Sequence, residues 1–276
     1  MRLLITIAAV STAVFFLLGK KSSDKPVEKP EKEEEIVVKK KDKAVIHIFT
    51  ALCDRKNQGI AKANSSLENG QDPRTNQYWG ALYGIKTYFK KSDDWTLLKR
   101  ERVNSIILER LIFKHKKKDV IIIADAYNGA KIKQATEDFM NSLYKGKNLT
   151  AEYAGKKIPC GSNADLSIYV GHNGLMDFNL PQEERTAIDK ECMIFCCKSR
   201  AYFEKRLEKT GAKPIVLTNG FMAPEAYVVK AAIDGWIAGD KPQNLTTRVA
   251  VWYHKYQKCG SRAAVNLFKA PKKKKK

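Results

Sequence analysis

Apolar residues in this chain fall into short β-branched runs separated by stretches in which they recur every three or four positions. Ala44 to Leu52 (AVIHIFTAL) and Asp119 to Ala124 (DVIIIA) are nearly continuous apolar runs of strand length, the pattern of strands buried on both faces. Ala164 to Gly171, Cys192 to Cys196 and Lys213 to Thr218 repeat it. Helical spacing predicts helices over Tyr78 to Lys90, with Trp79, Leu82, Ile85, Tyr88 and Phe89 inward, and over Ala130 to Leu143, with Ile132, Ala135, Phe139 and Leu143 inward. Further helices are expected over Arg200 to Lys209, Pro224 to Ile237 and Thr247 to Phe268. Ser105 to Phe113 suits strand or helix, the Lys114 to Asp119 link suits a hairpin, and Cys53 to Gln77 reads as a long polar loop. Strands alternating with helices predict an α/β fold of three layers, a mostly parallel sheet with helices on both faces, in one domain over residues 44–268.

The chain ends depart from this pattern. Residues 1–19 are almost wholly apolar after Arg2, with Lys20 and Lys21 following. No small-x-small cleavage site precedes Lys20 and no cysteine follows to accept a lipid, so an uncleaved anchor is favoured over a removed signal peptide. Residues 20–43 are charged and Pro-containing, too poor in large apolar groups to repay the entropy of ordering, and predict a flexible tether. Residues 269–276 form a basic tail ending in five lysines. This organisation implies a membrane-anchored or exported protein, with positive charge on both flanks of the apolar run leaving its side of the membrane open.

The 276 residues carry a formal net charge of +21, and +16 remains when the five tail lysines are set aside. The folded body is therefore itself basic, which favours acidic partners or simply a lysine-rich solvated surface. No RNA-recognition strand motif, zinc finger or helix-turn-helix pattern accompanies the charge, so nucleic acid is not an expected partner. Six cysteines (Cys53, Cys160, Cys192, Cys196, Cys197 and Cys259) form no C-x-x-C pair or spaced disulfide framework, and the four histidines show no ligand spacing. Structural zinc is therefore not expected.

The candidate chemistry lies at two strand ends. The run ending at Gly171 delivers His172, and the run ending at Cys196 delivers Cys197. The carboxyl ends of neighbouring parallel strands share one rim, where such side chains can meet over a crevice. A thiolate is the competent nucleophile, and a histidine or a helix amino end raises its fraction. Backbone N–H groups at Cys197 and around Asn173 and Gly174 are candidates for stabilising an oxyanion. Cys192, Cys196, His47 and His254 read as structural.

The order of strands and helices, with Val170-Gly171-His172-Asn173-Gly174 closing one strand and Phe195-Cys196-Cys197-Lys198-Ser199 another, resembles the caspase-type cysteine peptidases, which include metacaspases, gingipains, legumains and CHAT proteases. The resemblance covers Ala44 to about Thr218. It implies a protein or peptide substrate, His172 as acid and base, Cys197 as nucleophile, no metal or organic cofactor, and a substrate cleft lined by Asp54 and Arg55 after the first strand and by Asp125 and Tyr127 after a later one. Arg55 suits an acidic substrate side chain and Asp125 a basic one. Several basic-specific relatives carry an acidic residue two positions before the nucleophile, where this chain has Phe195. Family members generally have glycine directly after the histidine, where this chain has Asn173.

The leading expectation is thus a membrane-tethered or exported cysteine endopeptidase. A catalytically inactive caspase-like binding module of the cell envelope is the alternative, with Asn173 its best support. A third reading is an anchored basic module that contacts anionic polymer or lipid through its lysines.

Overall fold

The computed structural model describes residues 41–59, 66–146, 149–181 and 188–269. The apolar segment 1–19, nearly all of the charged tether and residues 270–276 of the tail lie outside them. Nine strands occur among the described residues: β1 (Lys43–Ala51), β2 (Trp95–Glu101), β3 (Ile107–His115), β4 (Asp119–Tyr127), β5 (Leu149–Tyr153), β6 (Lys156–Cys160), β7 (Leu166–Val170), β8 (Glu191–Phe195) and β9 (Lys213–Val216). Six α-helices accompany them: α1 (Ile85–Lys90), α2 (Ile132–Asn141), α3 (Ser199–Thr210), α4 (Ala226–Ala238), α5 (Pro242–Gln257) and α6 (Ser261–Phe268).

Seven strands form one sheet in the order β2-β3-β4-β1-β7-β8-β9. β4, β1, β7, β8 and β9 run parallel, and β3 and β2 extend the edge in antiparallel pairing. The period-two alternation of strand side chains sorts the apolar residues onto two faces. Ile46, Ile48, Ile122, Ala124, Leu166, Ile168, Met193 and Phe195 pack with α1, α4, α5 and α6 on one side. Phe49, Ala51, Tyr127, Tyr169, Ile194 and Cys196 pack with α2 and α3 on the other. The fold is therefore α/β, a mostly parallel sheet flanked by helices.

Several local expectations are corrected. The helix expected from Tyr78 begins only at Ile85, because Gly80 and Gly84 let backbone segments touch: a Cβ at Gly80 would lie 2.0 Å from the Arg74 carbonyl oxygen, and one at Gly84 2.3 Å from the Trp79 carbonyl carbon. Trp79 is buried as expected, its indole N–H bonded to the Glu109 carboxylate, whereas Leu82, expected inward, is exposed. The helix expected over Thr247 to Phe268 is two, broken where Lys258 (φ 53°) and Gly260 (φ 88°) take left-handed conformations. The Gly- and Lys-rich break before β7 holds the β5–β6 hairpin, turned by Ala154 (φ 49°) and Gly155 (φ 72°), the two consecutive positive φ values of a primed turn. Ala151 and Ile158 of that hairpin cover Ile112 and Ile123 of the sheet. The ambiguous run at 105–113 is strand β3, paired with β4.

Candidate functional site

β7 and β8 are adjacent and parallel, with Val170 opposite Phe195, so the turns that follow them leave from the same rim of the sheet. The ends of β1, β4 and β9 open onto the same rim. Gly171 (φ 143°) makes the exit from β7 possible, since a Cβ there would sit 2.6 Å from the carbonyl oxygen of Ala51. The buried Tyr169 hydroxyl then donates to the His172 carbonyl (2.8 Å), and Asn173 and Gly174 lead into a short 3-10 turn, Gly174–Met176.

Two bonds define this turn. The Nε2 of His172 lies 2.7 Å from the Asp177 carboxylate, five residues on, with the imidazole 14% and the carboxylate 42% exposed. The Asn173 side chain ties the histidine turn to the thiol turn. Its Nδ2 donates to the Cys197 carbonyl (2.7 Å), while its Oδ1 accepts the Leu175 N–H (3.1 Å). The side chain of Asn173 is thus committed to holding the loops. No acceptor among the described residues takes the backbone N–H of Cys197 or of Gly174.

Cys197 is half-buried at a sharp strand-turn-helix junction. Lys198 follows it in the left-handed region (φ 51°, ψ 34°), a conformation that costs a side chain roughly 1–2 kcal/mol and must be held by its surroundings. The surroundings do so. The Lys198 N–H donates to the Gly220 carbonyl (2.7 Å), the Thr218 hydroxyl donates to the Cys196 carbonyl, and Ser199 and Thr218 bond reciprocally through hydroxyl and backbone. The amino end of α3 does not meet the sulfur with its donors, as the sequence suggested. The Ser199 and Arg200 N–H groups go to Thr218. The sulfur instead accepts from the Met222 N–H (3.4 Å) and lies 3.5 Å from the Met222 carbonyl, both in the loop between β9 and α4.

The remaining thiols are set apart by burial. It pushes Cys53 and Cys160 up to about 11 and Cys192 to about 12, and raises the buried Cys196 as well, so all four stay protonated at neutral pH. Only Cys197 and the exposed Cys259 among the six reach solvent.

The four residues expected to line a cleft lie in different places. Asp54 is buried, and its carboxylate accepts from the Lys56 N–H (3.0 Å), Asn57 Nδ2 (2.8 Å) and Gln71 Nε2, which folds the loops after β1 instead of presenting a charge. Arg55 is exposed. Asp125 does not follow a strand, as expected, but lies inside β4, which runs on to Tyr127. It is fully buried, held by Arg110 through two bonds of 2.7 Å and by His47 Nε2 at 3.0 Å. Tyr127 is buried too and donates to Asp138 (2.9 Å). The rim therefore gathers His172, Asn173, Gly174 and Cys197, with Asp54 behind it and Asp125 and Tyr127 within the sheet. Asp177 was missed in the sequence, where its only signal is a carboxylate five residues beyond a histidine in a glycine-containing turn.

Among the described residues, no cluster of three or more His, Cys, Asp or Glu is arranged to hold a metal ion, and no helix is long and apolar enough to cross a membrane. Neither the chain nor its fold finds a match among family models, curated proteins or solved structures.

Proposed function

We propose that the chain is a membrane-tethered or exported cysteine endopeptidase of the caspase-like type, with Cys197 as nucleophile and His172 as acid and base. The observation that carries the reading is the Asn173 bond to the Cys197 carbonyl, which joins the histidine turn to the thiol turn over the ends of adjacent strands. With Nε2 directed at Asp177, the imidazole proton resides on Nε2, and Nδ1 keeps the lone pair that accepts the thiol proton. The thiolate attacks the peptide carbonyl, and the N–H groups of Cys197 and Gly174 receive the developing oxyanion. His172 returns its proton to the leaving amine, and water, deprotonated by the same histidine, releases the acyl group from sulfur.

The test is alkylation of the full chain in detergent by iodoacetamide at neutral pH, followed cysteine by cysteine by peptide mass, alongside hydrolysis of a denatured protein substrate. The expected result is labelling of Cys197 faster than of the more exposed Cys259, slowed by His172→Ala, and hydrolysis abolished by Cys197→Ala. Labelling of Cys197 no faster than Cys259, with no Cys197-dependent hydrolysis, would leave the inactive binding module as the better reading.

A further inference from the structure

We propose that the cavity between α2 and the β5–β6 hairpin is a second ligand site, separate from the thiol rim, and that it takes a small apolar molecule bearing a carboxylate, which Arg110 receives. The assignment does not depend on the hydrolase reading, since neither His172 nor Cys197 lines this cavity.

Strand alternation builds its floor. Side chains two residues apart share a face, so β1 presents His47 and Phe49, and β4 presents Asp125 and Tyr127, to the side of the sheet that α2 and the hairpin cover. The antiparallel register sets Arg110 of β3 opposite Asp125 and Ile107 opposite Tyr127. Helix α2 packs on Phe49 and the hairpin on Ile112 and Ile123, and a cavity of about 590 Å³ remains between the two covers. Pockets that hold small organic ligands run to about 300–1,000 Å³ and are mostly apolar with a few convergent polar groups. This one fits, with the rings of Phe49 and Tyr127 and the Ile107 side chain among its walls.

Charge selects the head group of the ligand. Arg110 spends Nε and Nη2 on Asp125 (2.7 Å each), while its Nη1 has no partner among the described residues, although the side chain is only 14% exposed. Asp125 is occupied by Arg110 and His47, and both imidazole nitrogens are bonded, so neither group is free for a ligand. The charges that act on His47 are one carboxylate, Asp125, and two cations, Arg110 and Lys190. Lys190 is buried, donates to the carbonyls of Ser142 (3.1 Å) and Gly161 (2.6 Å) at the cavity wall, and pairs with no carboxylate among the described residues. On the α2 side, Asp138 already accepts from the Tyr127 hydroxyl (2.9 Å) and Gln134 Nε2 (2.8 Å). The uncommitted groups at the floor are therefore cationic N–H donors. A carboxylate on the free edge of the guanidinium satisfies them, with its apolar body against Phe49, Ile107 and Tyr127.

The test is calorimetric titration of the full chain in detergent with cinnamate, cinnamamide and cinnamylamine, three heads on one aromatic body. Cinnamate should bind at least about tenfold more tightly than the amide, and the amine more weakly than either. Ile107→Trp, which fills the cavity from a partly exposed position, should abolish cinnamate binding in a chain whose thermal unfolding stays cooperative. Arg110→Gln should bring cinnamate to within about twofold of the amide. Equal affinity for acid and amide, tighter binding of the amine, or cinnamate binding that survives Ile107→Trp overturns the proposal, as does no cinnamate binding by the unaltered chain. The comparison of head groups needs no variant, so it decides the matter even if Arg110→Gln, which leaves Asp125 without its cation, does not fold.

Discussion

Two histidines in this protein face a carboxylate, and their surroundings separate them. His47 lies inside β1 and is almost fully buried, with Nε2 on Asp125 and Nδ1 accepting the Gly161 N–H (3.0 Å), so both ring nitrogens are occupied. Asp125 is in turn gripped by Arg110. Burial alone would raise the Asp125 carboxyl, but the bonds from Arg110 and His47 outweigh it and hold the group below the usual range. Burial lowers His47 despite that carboxylate, which leaves a neutral imidazole bridging sheet and hairpin. His172 has the same kind of partner at the rim, where the pair is partly open to solvent. The lesson is that a His–Asp pair with every ring nitrogen bonded in the interior is a structural joint, whereas the same pair at a partly open rim is not locked in this way.

The largest effect should come from breaking the buried member of this comparison. Asp125→Ala leaves Arg110 charged and unpaired in the interior and should cost about 3–5 kcal/mol, read from urea unfolding. His172→Ala should leave stability nearly unchanged while slowing Cys197-dependent hydrolysis by about 10²-fold or more. Asp177→Asn should slow hydrolysis by about tenfold, less than loss of the base itself, and change stability by under about 1 kcal/mol because the pair is part-exposed. A stability loss from Asp177→Asn equal to that from Asp125→Ala would erase the distinction between the two pairs.

The smallest effect is in the pH dependence of the buried pair. The folded-state pKa of His47 lies below its ordinary 6.5, so the unfolded chain binds the proton first as pH falls. The stability this group contributes is therefore fully present above 6.5 and declines below it, by at most about 1.4 kcal/mol per pH unit. Urea unfolding of the unaltered chain and of His47→Gln at a series of pH values should show a difference that shrinks from about pH 7.5 toward about pH 5. A difference independent of pH would show that His47 is not held neutral.

The parallel core was legible in the sequence because β1, β4, β7 and β8 are nearly continuous apolar runs of strand length, the pattern of strands covered on both faces. So was the placing of His172 and Cys197 after neighbouring strands. Strand β2 was not, since Trp95 to Glu101 lies at the sheet edge and mixes apolar with charged residues. Nor was the β5–β6 hairpin, whose turn is Ala154-Gly155 in place of the usual Asn-Gly. The Asp125 ion pair was hidden because Arg110 is 15 residues away and meets it only through β3–β4 pairing.

Local pattern by itself determined which segments are strands and helices and which reactive side chains stand at strand ends, because backbone periodicity and apolar burial act over a few residues. Only the tertiary structure decided which of those side chains meet. Asn173 reaches Cys197 across 24 residues, Met222 reaches the sulfur across 25, and His47 reaches Asp125 across 78. Such contacts are set by strand order and loop packing, which bring together groups whose sequence separation carries no signal of their proximity.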